Sequence, residues 1–299
     1  MTEDTPILDA RHVTKSFGAV RALRDANLTL RKGEVVALMG ANGAGKSTFV
    51  KCLTGAQPHD GGSFRIKGRE VRFGSPAAAR KAGLIPVYQE PALIPDLDVG
   101  QNLRLGGTPV EPFRHWVSEL GVNGLRLDDR IGALPLASLR ILDIARALAS
   151  DPDVLLLDEV TAALPTDLVD RVLKVVRGQA DAGRSVIYIS HRFPEIAAIC
   201  DRASVLRDGA TVGDLAVEPG VEERIVELML GERLAPAGAI AAQGGARGAV
   251  RLAVERLAVG TKLADVSFTL HKGEVLGVVA LEGQGQDELF EALSGFRRP

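Results

Sequence analysis

Gly40-Ala41-Asn42-Gly43-Ala44-Gly45-Lys46-Ser47-Thr48 has the spacing G-x-x-x-x-G-K-[ST], and these residue types suit a bound phosphate chain. The glycines let successive backbone N–H groups turn toward one anion. A helix starting at Lys46 aims its positive dipole end at the same point. Lys46 adds a mobile charge for β- and γ-phosphates, and the Ser47 hydroxyl can ligate Mg2+. A second segment suits the same chemistry. Val154-Leu155-Leu156-Leu157-Asp158-Glu159 reads as a buried strand with two carboxylates at its C-terminal end, where open α/β sheets bind ligands. There Asp158 can hold Mg2+ through water, and Glu159 can polarise the water that attacks a γ-phosphate. A Gly-rich turn beside an unrelated Lys would not be matched by such a strand.

The elements that must position these residues follow from the apolar pattern. Val35 to Met39 is a short apolar run before the loop, a buried strand, and Lys46 to Leu53 has helical character after it. Leu84 to Tyr88, Val154 to Leu157 and Ser185 to Ile189 are further strands; Leu168 to Val176 and Pro194 to Ile199 read as helices. This alternation predicts an α/β fold with a mostly parallel sheet covered by helices. Residues 99–149 interrupt it with a helix around Trp116 and a long one from about Ser138 to Ala149, an inserted helical subdomain.

Composition narrows the function classes. With 299 residues, about two domains are expected. Lys plus Arg is 36 against 38 Asp plus Glu, so no strongly basic balance favours nucleic acid or a polybasic membrane surface. Cys52 and Cys200 are the two cysteines, far too few for a disulfide framework, which fits a reducing compartment. The N-terminal TEDTPILDA has no apolar stretch of the kind a signal peptide needs, and no apolar run is long enough to cross a bilayer.

With both strong motifs in place, residues 7–230 resemble the nucleotide-binding domain of an ATP-binding cassette (ABC) transporter. The resemblance implies a P-loop NTPase fold with an antiparallel β subdomain and an inserted helical subdomain. It carries further residues over one at a time. Val87-Tyr88-Gln89-Glu90 resembles the Q-loop, which implies that Gln89 senses Mg2+ and the lytic water beside the membrane partner. Ile189-Ser190-His191-Arg192 resembles the switch-histidine segment, placing His191 on the γ-phosphate, and Thr161-Ala162-Ala163-Leu164 resembles the D-loop at the domain interface. Phe17, in Lys15-Ser16-Phe17-Gly18, stands where an aromatic stacks on adenine. The implied set is therefore Glu159, His191 and Gln89 for hydrolysis; Phe17, Gly40, Asn42, Gly43, Ala44, Gly45, Lys46, Ser47 and Thr48 for ATP; and Ser47, Gln89 and Asp158 for Mg2+.

The chain departs from the family in two places. Val160 replaces the usual Pro after Asp158-Glu159, with a modest local effect expected. The signature LSGGQ falls on Leu134-Pro135-Leu136-Ala137-Ser138. Pro135 there offers neither a hydroxyl nor a backbone N–H, and Ala137 adds a Cβ where backbone should approach nucleotide.

An internal repeat organises the rest. Residues 265–295, DVSFTLHKGEVLGVVALEGQGQDELFEALSG, align without a gap on residues 25–55, DANLTLRKGEVVALMGANGAGKSTFVKCLTG. Gln286 stands where Lys46 stands, and Asp287 where Ser47 stands, a poor phosphate and Mg2+ site. The segment before Asp265 is about four residues shorter than its counterpart, so the Phe17 region is reduced. Val275 to Ala280 reads as an apolar strand with no later strands to pair and bury it, and is expected to be either poorly ordered or packed on the first copy. Expected boundaries are a complete cassette over 1–232, an uncharged Ala/Gly-rich linker over 233–248, and the start of a second, degenerate cassette over 249–299. Pro236 and the Gly pair oppose an Ala helix in the linker. Cassettes of this family pair head to tail, so the degenerate signature and the degenerate loop would fall in one composite site, leaving the other intact.

A tandem with a weakened second loop, together with Ser190-His191-Arg192-Phe193, Leu93-Ile94-Pro95-Asp96-Leu97 and Leu281-Glu282-Gly283-Gln284-Gly285, is similar to the ATPase subunits of bacterial monosaccharide importers of the ribose, xylose and galactose type. Nucleoside importers share these features. The resemblance implies a peripheral subunit at the cytoplasmic face of the inner membrane. Its implied partners are transmembrane permease subunits and a periplasmic or lipid-anchored solute-binding protein, with no nucleic acid. Two alternatives remain. A soluble ABC protein of translation or DNA repair is opposed by the short 99–149 insertion and the uncharged linker. A nucleotide-binding module with little turnover is favoured by Pro135 and opposed by Glu159 and His191.

Overall fold

The computed structural model describes residues 5–162, 164–231, 248–260, 263–279 and 285–298. The chain divides into two compact units, 1–234 and 235–299. In the first, strands β1 (Leu8–Phe17), β2 (Val20–Leu30) and β3 (Val35–Met39) lead to helix α1 (Lys46–Leu53). Then come β4 (Gly61–Ile66), β5 (Arg69–Val71), α2 (Pro76–Lys81) and β6 (Leu84–Val87). The inserted helices are α3 (Val99–Gly106), α4 (Val110–Glu119) and α5 (Leu136–Ala149), with a 3-10 turn at Ile131–Ala133. The unit continues through β7 (Val154–Asp158), α6 (Thr166–Asp181), β8 (Ser185–Ile189), α7 (Phe193–Ile199), β9 (Arg202–Arg207), β10 (Ala210–Ala216) and α8 (Val221–Leu230).

The apolar runs are strands because both of their faces are buried. In β3, Val35, Ala37 and Met39 join one core while Val36 and Leu38 join another. The same alternation divides Leu155 and Leu157 from Val154 and Leu156 in β7, and Val186 and Tyr188 from Ile187 and Ile189 in β8. All ten strands form one sheet in the order β5-β4-β1-β2-β10-β9-β3-β8-β7-β6. Strands β9, β3, β8, β7 and β6 are mutually parallel, whereas β2, β1, β4 and β5 form an antiparallel arm. The phosphate-loop strand β3 lies between β9 and β8, and the carboxylate strand β7 lies one place further.

The inserted segment holds one helix more than its periodicity shows. Helix α3 starts at a capping box, with Asp98 accepting from the Gln101 N–H and the Gln101 side chain accepting from the Asp98 N–H. It ends on Gly107 in the left-handed region.

The second unit contains β11 (Val250–Val259), β12 (Leu263–His271) and α9 (Gln286–Leu293). It repeats the first unit's opening closely. Leu8–Leu30, Val13–Ala26 and Lys15–Leu23 pair across β1 and β2. Leu252–Leu270, Leu257–Val266 and Val259–Leu263 pair at the matching places across β11 and β12. Each hairpin has a bulge at a non-glycine residue of positive φ, His12 at 49° and Arg256 at 50°. Each bulge N–H donates to a side-chain oxygen of the facing strand, Asn27 Oδ1 or Ser267 Oγ, at 2.8 Å. Because Val259–Leu263 closes the second hairpin where Lys15–Leu23 stands in the first, the residues between lack a counterpart of Phe17.

One expectation fails. Residues 274–279 take no strand conformation, and Val275 and Val279 are each 97% exposed. In the first unit the matching strand β3 is hydrogen-bonded on both sides, by β9 and β8. Among the described residues 274–279 have no such neighbours, and an apolar run does not become a strand without ladder partners. Ala280, most of the linker over 233–248, and Leu281 to Gln284 lie outside the described residues.

Candidate functional site

The site lies at the C-terminal ends of β3 and β7. Gly40 leaves β3 with φ 155°, and a Cβ there would stand 2.4 Å from the Leu206 carbonyl oxygen. Gly45 caps α1 with φ 104°, and a Cβ there would meet the Ala22 carbonyl at 2.7 Å. Both positions therefore admit only glycine, because neighbouring backbone closes on them. No side chain caps the start of α1, so its first-turn N–H groups remain available to an anion. Ala44 is buried, its carbonyl accepting from the Gly209 N–H at 3.0 Å.

The Lys46 ammonium donates to the carbonyls of Gly40 at 2.6 Å and Ala41 at 3.1 Å. Burial lowers its pKa, and the charges of Glu159 and Asp158 partly oppose that. Burial raises the pKa of Asp158, reinforced by Glu159 and opposed by Lys46. One cation thus faces two carboxylates in a poorly solvated place, an arrangement suited to a phosphate and a divalent cation. Glu159 adopts φ 49° just past β7, and its N–H donates to the Ile189 carbonyl at 2.9 Å. That bond ties the end of β7 to the end of β8, which carries His191. The His191 Nδ1 lies 3.6 Å from Glu159 Oε1.

Asn42, Gly43, Gly45, Lys46, Ser47, Thr48, Gln89, Asp158 and Glu159 all line one cavity of about 600 Å³. A second cavity of about 420 Å³ shares Asn42, Lys46 and Glu159 with it and adds Gly40 and His191. Gln89 is held from below by α5, where the Arg140 guanidinium donates to the Gln89 carbonyl and Asp143 accepts from the Ala92 N–H. Phe17 stands apart: it is 47% exposed at the end of β1, with the Lys15 ammonium 5.4 Å from its ring centre, and does not line either cavity.

Six lining residues escape the sequence motifs: Val20, Arg21, Ala22 and Arg24 from β2, and Asp208 and Gly209 from the β9–β10 turn. The Gly209 carbonyl accepts from the N–H groups of Arg24 and Asp25. With its bond to Ala44, this turn fastens the antiparallel arm to the phosphate loop. The Asp208-Gly209 dipeptide is a turn signal, but nothing local shows where that turn docks. Pro135 occupies the N-cap of α5, with φ −59° and ψ 148°, and the helix has no side-chain cap.

The donor set tests whether ATP and Mg2+ fit. The glycine cradle leaves no room for a Cβ at Gly40 or Gly45, and Lys46 projects into it. Ser47, Gln89 and Asp158 give a hydroxyl, an amide oxygen and one carboxylate, and no cluster of three or more His, Cys, Asp or Glu occurs among the described residues. So sparse a set suits Mg2+, which keeps waters and shares phosphate oxygens.

Residues 23–162 match the ABC transporter family. The ribose import ATP-binding protein RbsA of Shouchella clausii is 36% identical over 97% of the chain, which covers 60% of that protein. RbsA 2 of Streptomyces avermitilis is 40% identical over 99% of the chain, covering 61% of its own length. The chain thus spans about three fifths of these relatives. Among solved structures, the ADP conformation of MJ1267, an ATP-binding cassette of an ABC transporter, superposes over 76% of the chain and all of its own, with TM-score 0.66 and 23% identity. A nucleotide-free cassette gives TM-score 0.67 at 22% identity over 76% of the chain and all of its own. These two establish the fold.

Proposed function

We propose that the chain, whose residues 23–162 match the ABC transporter family, binds Mg-ATP and hydrolyses it as the ATPase part of an importer for a monosaccharide such as ribose. The observation that carries the reading is the single cavity shared by Lys46, Ser47, Gln89, Asp158 and Glu159 behind a cradle that accepts only glycine.

Each residue has a task its position supports. Backbone N–H groups from Gly43 to Thr48 wrap the β- and γ-phosphates, and Lys46 exchanges its carbonyl partners for phosphate oxygens. Ser47, Gln89 and Asp158 would hold Mg2+, which neutralises phosphate charge when bound. Glu159 orients the attacking water and accepts its proton, while His191 beside it contacts the γ-phosphate. Phe17 lines neither cavity, whereas Arg21 and Arg24 line the first.

The word import in the relatives' names supports a membrane setting. We assign the chain to the cytoplasmic face of a membrane, working with separate permease subunits and a solute-binding protein. Cassettes would pair head to tail, with one intact and one degenerate composite site. Pro135 at the start of α5 favours a second reading, a module that binds nucleotide with little turnover. Calorimetry with Mg-ATP and phosphate release from the chain and its Glu159→Gln form separate the two. Binding with turnover that Glu159→Gln abolishes supports the ATPase; equal, near-zero rates with binding intact support the module.

A further inference from the structure

A buried carboxylate outside the proposed set joins the segments that carry Glu159 and His191. Glu195, in the first turn of α7, is 4% exposed. Its Oε2 accepts from the hydroxyls of Thr161 at 2.8 Å, Tyr188 at 2.7 Å and Ser190 at 2.8 Å. Its Oε1 faces the Arg192 guanidinium at 3.3 Å, and the Arg192 N–H donates to Ser190 Oγ at 3.1 Å. Thr161 and Ser190 are themselves buried. A carboxylate accepts only, so the three hydroxyls must all donate inward, and all three rotors are fixed at once. Burial raises the Tyr188 pKa, which keeps the phenol a donor.

The placement of these partners gives the cluster its meaning. Thr161 lies two residues after Glu159, and Ser190 immediately precedes His191. The strand ends that carry the two groups are otherwise joined at this point by the Glu159 N–H to Ile189 carbonyl bond. We propose that Glu195 is a positioning residue, clamping the turn after β7 to the segment after β8 and so setting the spacing of Glu159 from His191. The proposal rests on the reading that these two groups serve ATP hydrolysis. Glu195 touches neither cavity, so its effect passes through Thr161 and Ser190.

The test uses the full chain and its Glu195→Gln form, whose amide must turn its N–H groups either against the Arg192 guanidinium, if its oxygen keeps the three hydroxyls, or against the hydroxyls themselves. Misplacing reacting groups by an ångström costs about 100-fold in rate, so kcat should fall ~10- to 100-fold while the KM for Mg-ATP stays within about threefold. Hydrogen exchange should quicken together at amides 159–162 and 190–192. A kcat within about twofold of wild type overturns the proposal, and so does faster exchange on one side alone. If Glu195→Gln does not fold, Thr161→Val and Ser190→Ala replace it. A clamp makes their effects on kcat non-additive, and simple additivity overturns it. A wild-type chain without turnover refutes the ATPase reading instead, and the paired exchange measurement still decides the clamp.

Discussion

Lys46→Ala probes the phosphate cradle directly. The ammonium lies 2.6 Å and 3.1 Å from two carbonyls of its own loop, so binding exchanges those partners for phosphate oxygens. Each hydrogen bond of the ammonium contributes about 1.5–3 kcal/mol whether its acceptor is a carbonyl or a phosphate oxygen. The gain on exchange therefore comes mainly from the opposite charges, about 1–4 kcal/mol at 4 Å between bulk water and an effective dielectric near 20. A loss near 3 kcal/mol is about a 100-fold rise in Kd for Mg-ATP. The same change should leave the fold nearly as stable. It removes two hydrogen bonds but also relieves a cation that burial disfavours. Calorimetry at fixed pH and salt, with thermal melting of both proteins, reads the two quantities. A Kd within threefold of wild type at unchanged Tm would refute the placement of the phosphates.

Other substitutions address separate parts of the site. Glu159→Gln should retain Mg-ATP affinity and lower turnover by about 100-fold or more, as loss of a general base does; phosphate release under single-turnover conditions checks this. Asp158→Asn should raise Tm at neutral pH and weaken the Mg2+ dependence of nucleotide binding. The sign follows from the raised folded-state pKa of Asp158: its charged form is disfavoured on folding, so the gain is present above that pKa and disappears as pH falls below the ordinary Asp value. A melting series across pH that shows no such convergence contradicts the desolvation argument. Gly40→Ala places a Cβ 2.4 Å from the Leu206 carbonyl at φ 155° and should destabilise by at least about 1–3 kcal/mol, measured by urea unfolding.

What the sequence revealed and concealed divides along contact range. The cradle was legible because its strand, turn and helix are contiguous, although the backbone that closes on Gly40 and Gly45, at Leu206 and Ala22, lies outside them. The Asp158-Glu159 pair was legible because an apolar run ends on it. The Arg21–Arg24 and Asp208–Gly209 lining was not, since a single parallel pair between Ala210 and Asp25 brings β10 to β2. The Glu195 cluster was hidden for the same reason: Thr161, Tyr188 and Ser190 meet only because β7 and β8 are neighbours in the sheet. Residues 275–279 show the converse error. Their apolar pattern matches β3, but strand formation depends on partners that periodicity does not encode.

The two hairpins offer a natural experiment in divergence within one polypeptide. Bulge, cross-strand acceptor and helix-capping glycine persist in both, although His12 has become Arg256 and Asn27 has become Ser267. Lys46 and Ser47 have meanwhile become Gln286 and Asp287. Demands made by the chain on itself have outlasted demands made by a ligand. The second hairpin therefore supplies an internal control: a geometry kept in both copies, such as the bulge or the helix-capping glycine, serves the scaffold whichever side chain provides it.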